Sequence, residues 1–314
     1  MPELPEVETI ARELRPLVVD ATITGAWWDW ERVIRHPPPE AFAEAVVGRS
    51  ILDVGRRAKW LVLDLTGGAV LAIQVKMTGQ LSVPLAEEAR DKHVHFLLQL
   101  ADGRELRLRD VRKFGRVGVY RRDEAGSILG ADEARELFVE HGPEPLGDDL
   151  TLAAFRLLLR ARRGRLKPLL LDQSLLAGIG NIYADEALWR ARLHPLRRVT
   201  SLRRPDERAL YRAIRGVLTE AVERRGSSID DYTAPEGDGE MQEHLDAYGR
   251  TGLPCPRCGR PMRRIVLGAR STHFCSWCQR LPADDRDAGA LALIRAANRP
   301  RRTATRPRRV RRGS

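Results

Sequence analysis

Gly142-Pro143-Glu144-Pro145-Leu146-Gly147 divides this 314-residue chain into two parts of different periodicity. Two prolines and two glycines within six residues interrupt any helix or central strand, so a domain boundary is expected here. Before it, from about 22 to 121, short apolar runs alternate with turn signals. Strands are expected at 51–54, 60–65, 69–75, 94–100 and 104–109, with hairpin turns at Gly67-Gly68 and Asp102-Gly103. Residues 6–17 differ, because Val7, Ile10, Ala11 and Leu14 mark one helical face. After the boundary the pattern is helical. Thr151 is placed to cap a helix running to about 163, residues 181–192 form a second that ends before Pro195, and 205–225 form a third with Leu210, Ile214, Leu218 and Ala221 on one face. The expected fold class is α+β with two domains, an N-terminal β-sandwich with the first helix packed on it and a C-terminal helical domain.

The far end of the chain carries a separate module. Cys255, Cys258, Cys275 and Cys278 are the only cysteines, spaced C-x2-C-x16-C-x2-C. Two close pairs separated by a hairpin-length stretch fit one tetrahedral Zn2+ held by four thiolates. The alternative, two disulfides, suits exported chains, and no export signal is apparent. A four-thiolate site leaves no open position, so the zinc is structural. Residues 250–314 hold seventeen arginines, no lysine and three aspartates, so this end accounts for more than the whole chain's net charge of +11. Concentrated positive charge of this kind is expected of a part that grips a polyanion. Residues 295–314 include nine arginines and little apolar content, and are expected to be disordered. The resulting plan is 1–142 for the sandwich, 143–249 for the helical domain, 250–282 for the finger and 283–314 for a basic, disordered tail. No run of 18 apolar residues is present, so no membrane segment is expected, and the chain is expected in the cytoplasm as a monomer.

The N-terminus, Met1-Pro2-Glu3-Leu4-Pro5-Glu6, admits two readings. Pro2 and Pro5 suit the first turn of a helix. Alternatively, removal of Met1 leaves a secondary amine; an α-amino group has a reference pKa of about 7.7–8.0 and is partly unprotonated at neutral pH. Such an amine can form an iminium with an aldehydic carbon, and Glu3 beside it can move protons.

From Pro2 to about Arg280 the chain resembles the formamidopyrimidine-DNA glycosylase family. The resemblance is carried by Pro2-Glu3-Leu4-Pro5-Glu6-Val7-Glu8-Thr9, by Lys59 within Arg56-Arg57-Ala58-Lys59-Trp60, by Met77-Thr78-Gly79 and by Asp110-Val111-Arg112-Lys113-Phe114-Gly115. Leu171 to Glu186 and the four-cysteine finger complete it. It implies a base-excision-repair glycosylase/AP lyase acting on double-stranded DNA with oxidised purines, chiefly 8-oxoguanine and formamidopyrimidines. Such enzymes flip the damaged nucleotide out of the stack. By position Pro2 is the nucleophile, Glu3 the acid/base and Lys59 a functional cation. Met77, Arg112 and Phe114 match the side chains that fill the emptied stack. Residues 168–195 resemble the helix–two-turns–helix motif, with Asn181 opening a helix whose amides favour an anion. Lys167, just ahead of that motif, is a candidate phosphate contact, Arg270 matches the family's phosphate-binding arginine, and loop 227–240 corresponds to the lesion-capping loop. The chain departs from the family at Gln74-Val75-Lys76, where His-Leu-Gly is usual, at Val111 in place of proline and at Lys113 in place of arginine. Two alternatives remain, an endonuclease VIII-like glycosylase for oxidised pyrimidines and a non-catalytic DNA-binding relative.

Overall fold

The computed structural model describes residues 2–228 and 237–298. The first helix, α1 (Leu4–Val18), begins where expected for chemical reasons. Glu3 and Glu6 form a reciprocal capping box and Pro5 lies in the first turn. Its buried face of Val7, Ile10, Leu14 and Val18 packs against β3. The sandwich follows, with β1 (Ile23–Trp28), β2 (Ile34–His36), α2 (Pro39–Val46), β3 (Ile51–Arg57), β4 (Trp60–Leu65), β5 (Ala69–Gln74), β6 (Gly79–Ser82), β7 (Val94–Leu100), β8 (Glu105–Asp110) and β9 (Arg116–Arg121). One sheet has the order β2-β9-β5-β4-β3 and the other β1-β7-β8-β6. Leu61, Leu63, Leu71 and Ile73 from the first sheet share one core with Phe96, Leu98, Leu106 and Leu108 from the second.

Two connections cross from one sheet to the other at the same end of the sandwich. β5 ends at Gln74, paired with Arg116 at the start of β9, while β6 starts at Gly79, paired with Asp110 at the end of β8. Turns 75–78 and 111–115 are therefore neighbours, although more than thirty residues separate them in sequence. Gly79 is needed for the first turn, since a Cβ there would lie 2.3 Å from the Val75 carbonyl oxygen.

The helical part contains α3 (Leu152–Arg160), α4 (Leu166–Leu171), α5 (Asn181–Arg190) and α6 (Arg204–Glu223). Thr151 caps α3 by accepting from the Ala154 N–H. Leu4 belongs to the apolar core of this part, with Leu170, Leu176, Tyr183 and Leu218. The start of the chain is thus embedded between sandwich and helices. The finger hairpin, β10 (Arg263–Leu267) and β11 (Arg270–Phe274), turns through Gly268 and Ala269, both at positive φ.

The expectation of a disordered tail from 283 is corrected for 283–298. Helix α7 (Ala288–Asn298) packs on β10. Ala290 is buried in a cluster with Leu196, Ile265, Phe274 and Leu281. Asp287 accepts from the Ala290 N–H at 2.8 Å, capping α7, and pairs with Arg165 and Arg198, each at 2.7 Å. Residues 299–314 lie outside the described residues. Among the described residues, no helix is long and apolar enough to cross a membrane.

Candidate active site and nucleic-acid interface

A cavity of about 380 Å3 opens between the two parts, lined by Pro2, Glu3, Glu6, Lys59, Met77 and Arg270, with Gln74, Lys76, Asn181 and Tyr248 also on its walls. The expected catalytic residues Pro2 and Glu3, just ahead of α1, and Lys59, from the β3–β4 turn, therefore meet at one cavity, where the finger hairpin adds Arg270. Pro2 and Glu3 are both buried. The Glu3 carboxylate accepts from the amides of Gly180 and Ile182, both at 2.8 Å, and Tyr183 at 3.3 Å. It thus occupies the positive N-terminus of α5. The amides expected to attract a DNA phosphate there hold a carboxylate of this chain instead. Asn181 itself lines the cavity, and its side-chain oxygen is buried without a partner among the described residues.

Glycine is required where the helical part wraps the N-terminus. A Cβ on Gly180 would fall 2.4 Å from the Glu3 carboxyl carbon. Gly178, at φ 87°, lies against Leu4 and accepts its N–H at 3.0 Å. Replacing Gly180 by alanine meets no obstacle in its own φ, which is −133°; the three atoms nearest the added Cβ all belong to the Glu3 side chain. Gly180→Ala is expected to displace the carboxylate, to cost about 1–3 kcal/mol of stability, and to reduce turnover by roughly 10²-fold. Wild-type single-turnover rates in this variant would contradict that geometry.

Four residues that hold the site were not singled out from the sequence. Glu6 accepts from the Glu3 and Ser227 amides, each at 2.8 Å, and from the Tyr183 hydroxyl. Burial and then the Glu3 charge push its carboxyl above the usual range. The Glu3-x-x-Glu6 capping-box spacing was the available signal. Gln173 donates to the Ile179 carbonyl at 2.8 Å and accepts from the Gly178 N–H at 2.9 Å, fixing the turn before α5. Glu144, from the boundary segment, accepts from Ala58 N–H at 2.7 Å and from Arg57 at 2.8 Å. It thereby anchors the β3–β4 turn that carries Lys59. The Lys59 ammonium donates to the Ile179 carbonyl at 2.9 Å. Burial lowers its pKa, against the opposing pull of Glu3 and Glu6.

The fourth is Asp185, and it corrects the expectation for Lys167. Lys167 is fully buried and forms an ion pair with Asp185 at 2.5 Å, while donating to the Asn181 carbonyl at 3.0 Å. A lysine sealed in this way cannot touch a DNA phosphate. The other Asp185 oxygen accepts from the His273 N–H at 2.9 Å. Asp185 thus ties α5 to β11, the strand that Arg270 begins. Arg270 itself is exposed on the cavity rim.

The two sheet-crossing turns bring Met77, Arg112 and Phe114 together. Arg112 Nη1 lies 3.2 Å from Met77 Sδ, and its guanidinium sits 4.8 Å from the Phe114 ring centroid. Phe114 is 44% exposed beside Met77 and Arg112, so its ring is free to enter a partner. Buried Asp110 shapes the turn, accepting from Thr78 Oγ1 and from the amides of Arg112 and Gly115.

The cysteine sulfurs all lie within 4.8 Å of one another, with Cys258–Cys275 at 3.5 Å and Cys255–Cys278 at 4.0 Å. These separations are too long for disulfides. A tetrahedral site with Zn–S of about 2.3 Å has edges of about 3.8 Å, so the donor set fits one structural Zn2+. Residues 1–117 match the family described as the formamidopyrimidine-DNA glycosylase N-terminal domain. Residues 141–233 match its H2TH domain, and 252–281 match the zinc finger found in FPG and IleRS.

The chain belongs to the formamidopyrimidine-DNA glycosylase family. Its formamidopyrimidine-DNA glycosylase relative from Chloroflexus aggregans is 51% identical over 281 residues, 89% of this chain and 98% of the relative. The one from Herpetosiphon aurantiacus is 46% identical and is covered in full. Among solved structures, the MutM (Fpg) protein of Thermus thermophilus is 43% identical, with a TM-score of 0.78 over 90% of this chain and all of that one. A Lactococcus lactis Fpg variant bound to Fapy-dG-containing DNA is 35% identical, with a TM-score of 0.81 over 89% of this chain and all of that one. The formamidopyrimidine-DNA glycosylase zinc module can be tested separately. Stripping the metal from the full chain is expected to weaken duplex binding by about tenfold or more, because the hairpin that presents Arg270 loses its cross-link. Unchanged affinity after complete zinc removal, checked by metal analysis, would contradict this.

Proposed function

We propose that this chain is a bifunctional base-excision-repair glycosylase/AP lyase that removes oxidised purines from duplex DNA, working with genomic DNA in the cytoplasm as a monomer. The observation that carries this reading is the burial of Pro2 and Glu3 at the wall of one cavity, with the Glu3 carboxylate oriented by three α5 amides. Solved Lactococcus lactis relatives are described as complexes with Fapy-dG-containing and abasic-site DNA, the two substrates such a cavity would take in turn.

With Met1 removed, the Pro2 nitrogen attacks C1′ of the extruded nucleotide. The bond from C1′ to the base breaks, and the base leaves with a proton. Opening of the sugar gives an iminium between Pro2 and C1′, which draws electrons from the C2′–H bond. Loss of that proton expels the 3′ phosphate by β-elimination, and a second elimination expels the 5′ phosphate. Water then hydrolyses the iminium and frees the amine. Glu3 is positioned to carry these protons. Lys59 supplies, from the same cavity wall as Pro2, an amine whose proton burial leaves less tightly held than usual. Met77 and Phe114 occupy the vacated stack while Arg112 offers donors to the unpaired base. Arg270 and Asn181, both on the cavity wall, are the residues assigned to backbone phosphates. The four cysteines hold the zinc that keeps the hairpin folded.

Release of 8-oxoguanine should be compared with release of thymine glycol from otherwise identical duplexes. Faster release of the purine is expected. Preference for thymine glycol would favour the endonuclease VIII-like reading, and tight binding without release of either base would favour a non-catalytic relative.

A further inference from the structure

Helix α5 touches both the catalytic cavity and the finger. Amides at its start hold Glu3. Its last turn carries Trp189, which is 5% exposed and shares a buried cluster with Cys255, Cys275, Met262 and Ala247. The Trp189 indole N–H is sealed from water and finds no oxygen or nitrogen acceptor among the described residues. A buried donor of this kind calls for a partner. The polar group it faces is the Cys255 sulfur, which accepts from the Trp189 side chain as well as from the amides of Arg257 and Cys258. Those two amides belong to the finger's own turn, whereas the indole is brought from outside it. Arg257, between the first two cysteines, fixes the ring in place. Its guanidinium lies 3.6 Å from the Trp189 ring centroid, and it donates to the Trp189 carbonyl at 2.5 Å and the Arg190 carbonyl at 3.3 Å.

We propose that Trp189 is a positioning residue of the zinc centre, donating its indole N–H to the Cys255 sulfur and so joining the finger to the helix that orients Glu3. Four thiolates around one Zn2+ leave an excess of negative charge on sulfur. A donor aimed at one of them spreads that charge and fixes the direction of the ligand. The Cys255 thiolate is then slower to leave the metal. A ring that only filled space would act through packing and leave the sulfur's electrons as they were.

The test uses the full chain in two forms, one loaded with Zn2+ and one with Co2+ in its place. Trp189→Phe keeps an aromatic ring and removes the donor. It is expected to release zinc to an excess of chelator about tenfold faster than wild type. In the cobalt form its sulfur-to-metal charge-transfer band should move to longer wavelength, because the sulfur lone pairs lose a stabilising hydrogen bond. Benzothienylalanine at position 189 keeps the bicyclic shape and lacks only the N–H, so it decides the matter should the phenylalanine variant fail to fold, and the same two changes are expected of it. Zinc release at the wild-type rate would overturn the proposal. So would faster release with an unmoved cobalt band, which would make the ring a packing element alone.

Discussion

Protein that carries one extra residue ahead of Pro2, or that keeps Met1, is expected to lose base excision and strand cleavage by roughly 10⁴-fold or more. The added peptide bond turns the Pro2 amine into an amide, whose lone pair is delocalised and cannot attack C1′. The position adds a steric reason, since Pro2 is buried at the cavity wall with Glu3 directly behind it. Binding to an uncleavable abasic duplex should fall less, because Arg112, Phe114, Arg270 and the finger are untouched. Comparison of single-turnover rates for processed and extended protein, with the N-terminus checked by mass spectrometry, decides the point. Substantial lyase activity in the extended protein would place the reactive amine elsewhere, with Lys59 the next amine along the cavity.

Glu3→Gln is expected to reduce excision by about 10²–10⁴-fold, the usual span for losing a positioned acid/base group. The substitution is nearly isosteric, and the glutamine oxygen can still accept from α5 amides, so the fold should survive. It does forfeit a charged acceptor at a helix N-terminus and adds an NH2 facing the α5 donors, at a cost of about 1–3 kcal/mol. Rate and stability therefore separate in this variant. A rate within tenfold of wild type at full folding would assign proton transfer to another group. Glu6 is the first alternative, buried beside Glu3 with its carboxyl pushed up by burial.

The parts of the fold that are periodic or locally punctuated can be read from the residues alone. The strand expected at 60–65 and the one at 94–100 coincide with β4 and β7, because short apolar runs, each followed by a glycine-containing turn, define them locally. The four cysteines announce their own geometry through spacing. Met77, Arg112 and Phe114 are another matter, since two sheet-crossing turns unite them and no local pattern records that pairing; only resemblance connects them. The same long-range blindness explains the error at Lys167. A lysine before a proline gives no hint that Asp185 waits opposite it in the core. At Asn181 the helix N-terminus was legible but its occupant was not, because Glu3 arrives from the other end of the chain. Helix α7 was hidden by the arginine-rich sequence around it, although Ala290, Leu293 and Ile294 provide an apolar face for the finger sheet.

Borohydride trapping tests the central claim most directly. Processed, zinc-loaded protein is mixed with a duplex containing one 8-oxoguanine opposite cytosine, an abasic duplex is run alongside, and the adducted peptide is mapped. The account predicts a covalent complex with both duplexes, joined through the nitrogen of Pro2. An adduct on a lysine, or none with either duplex, would contradict it.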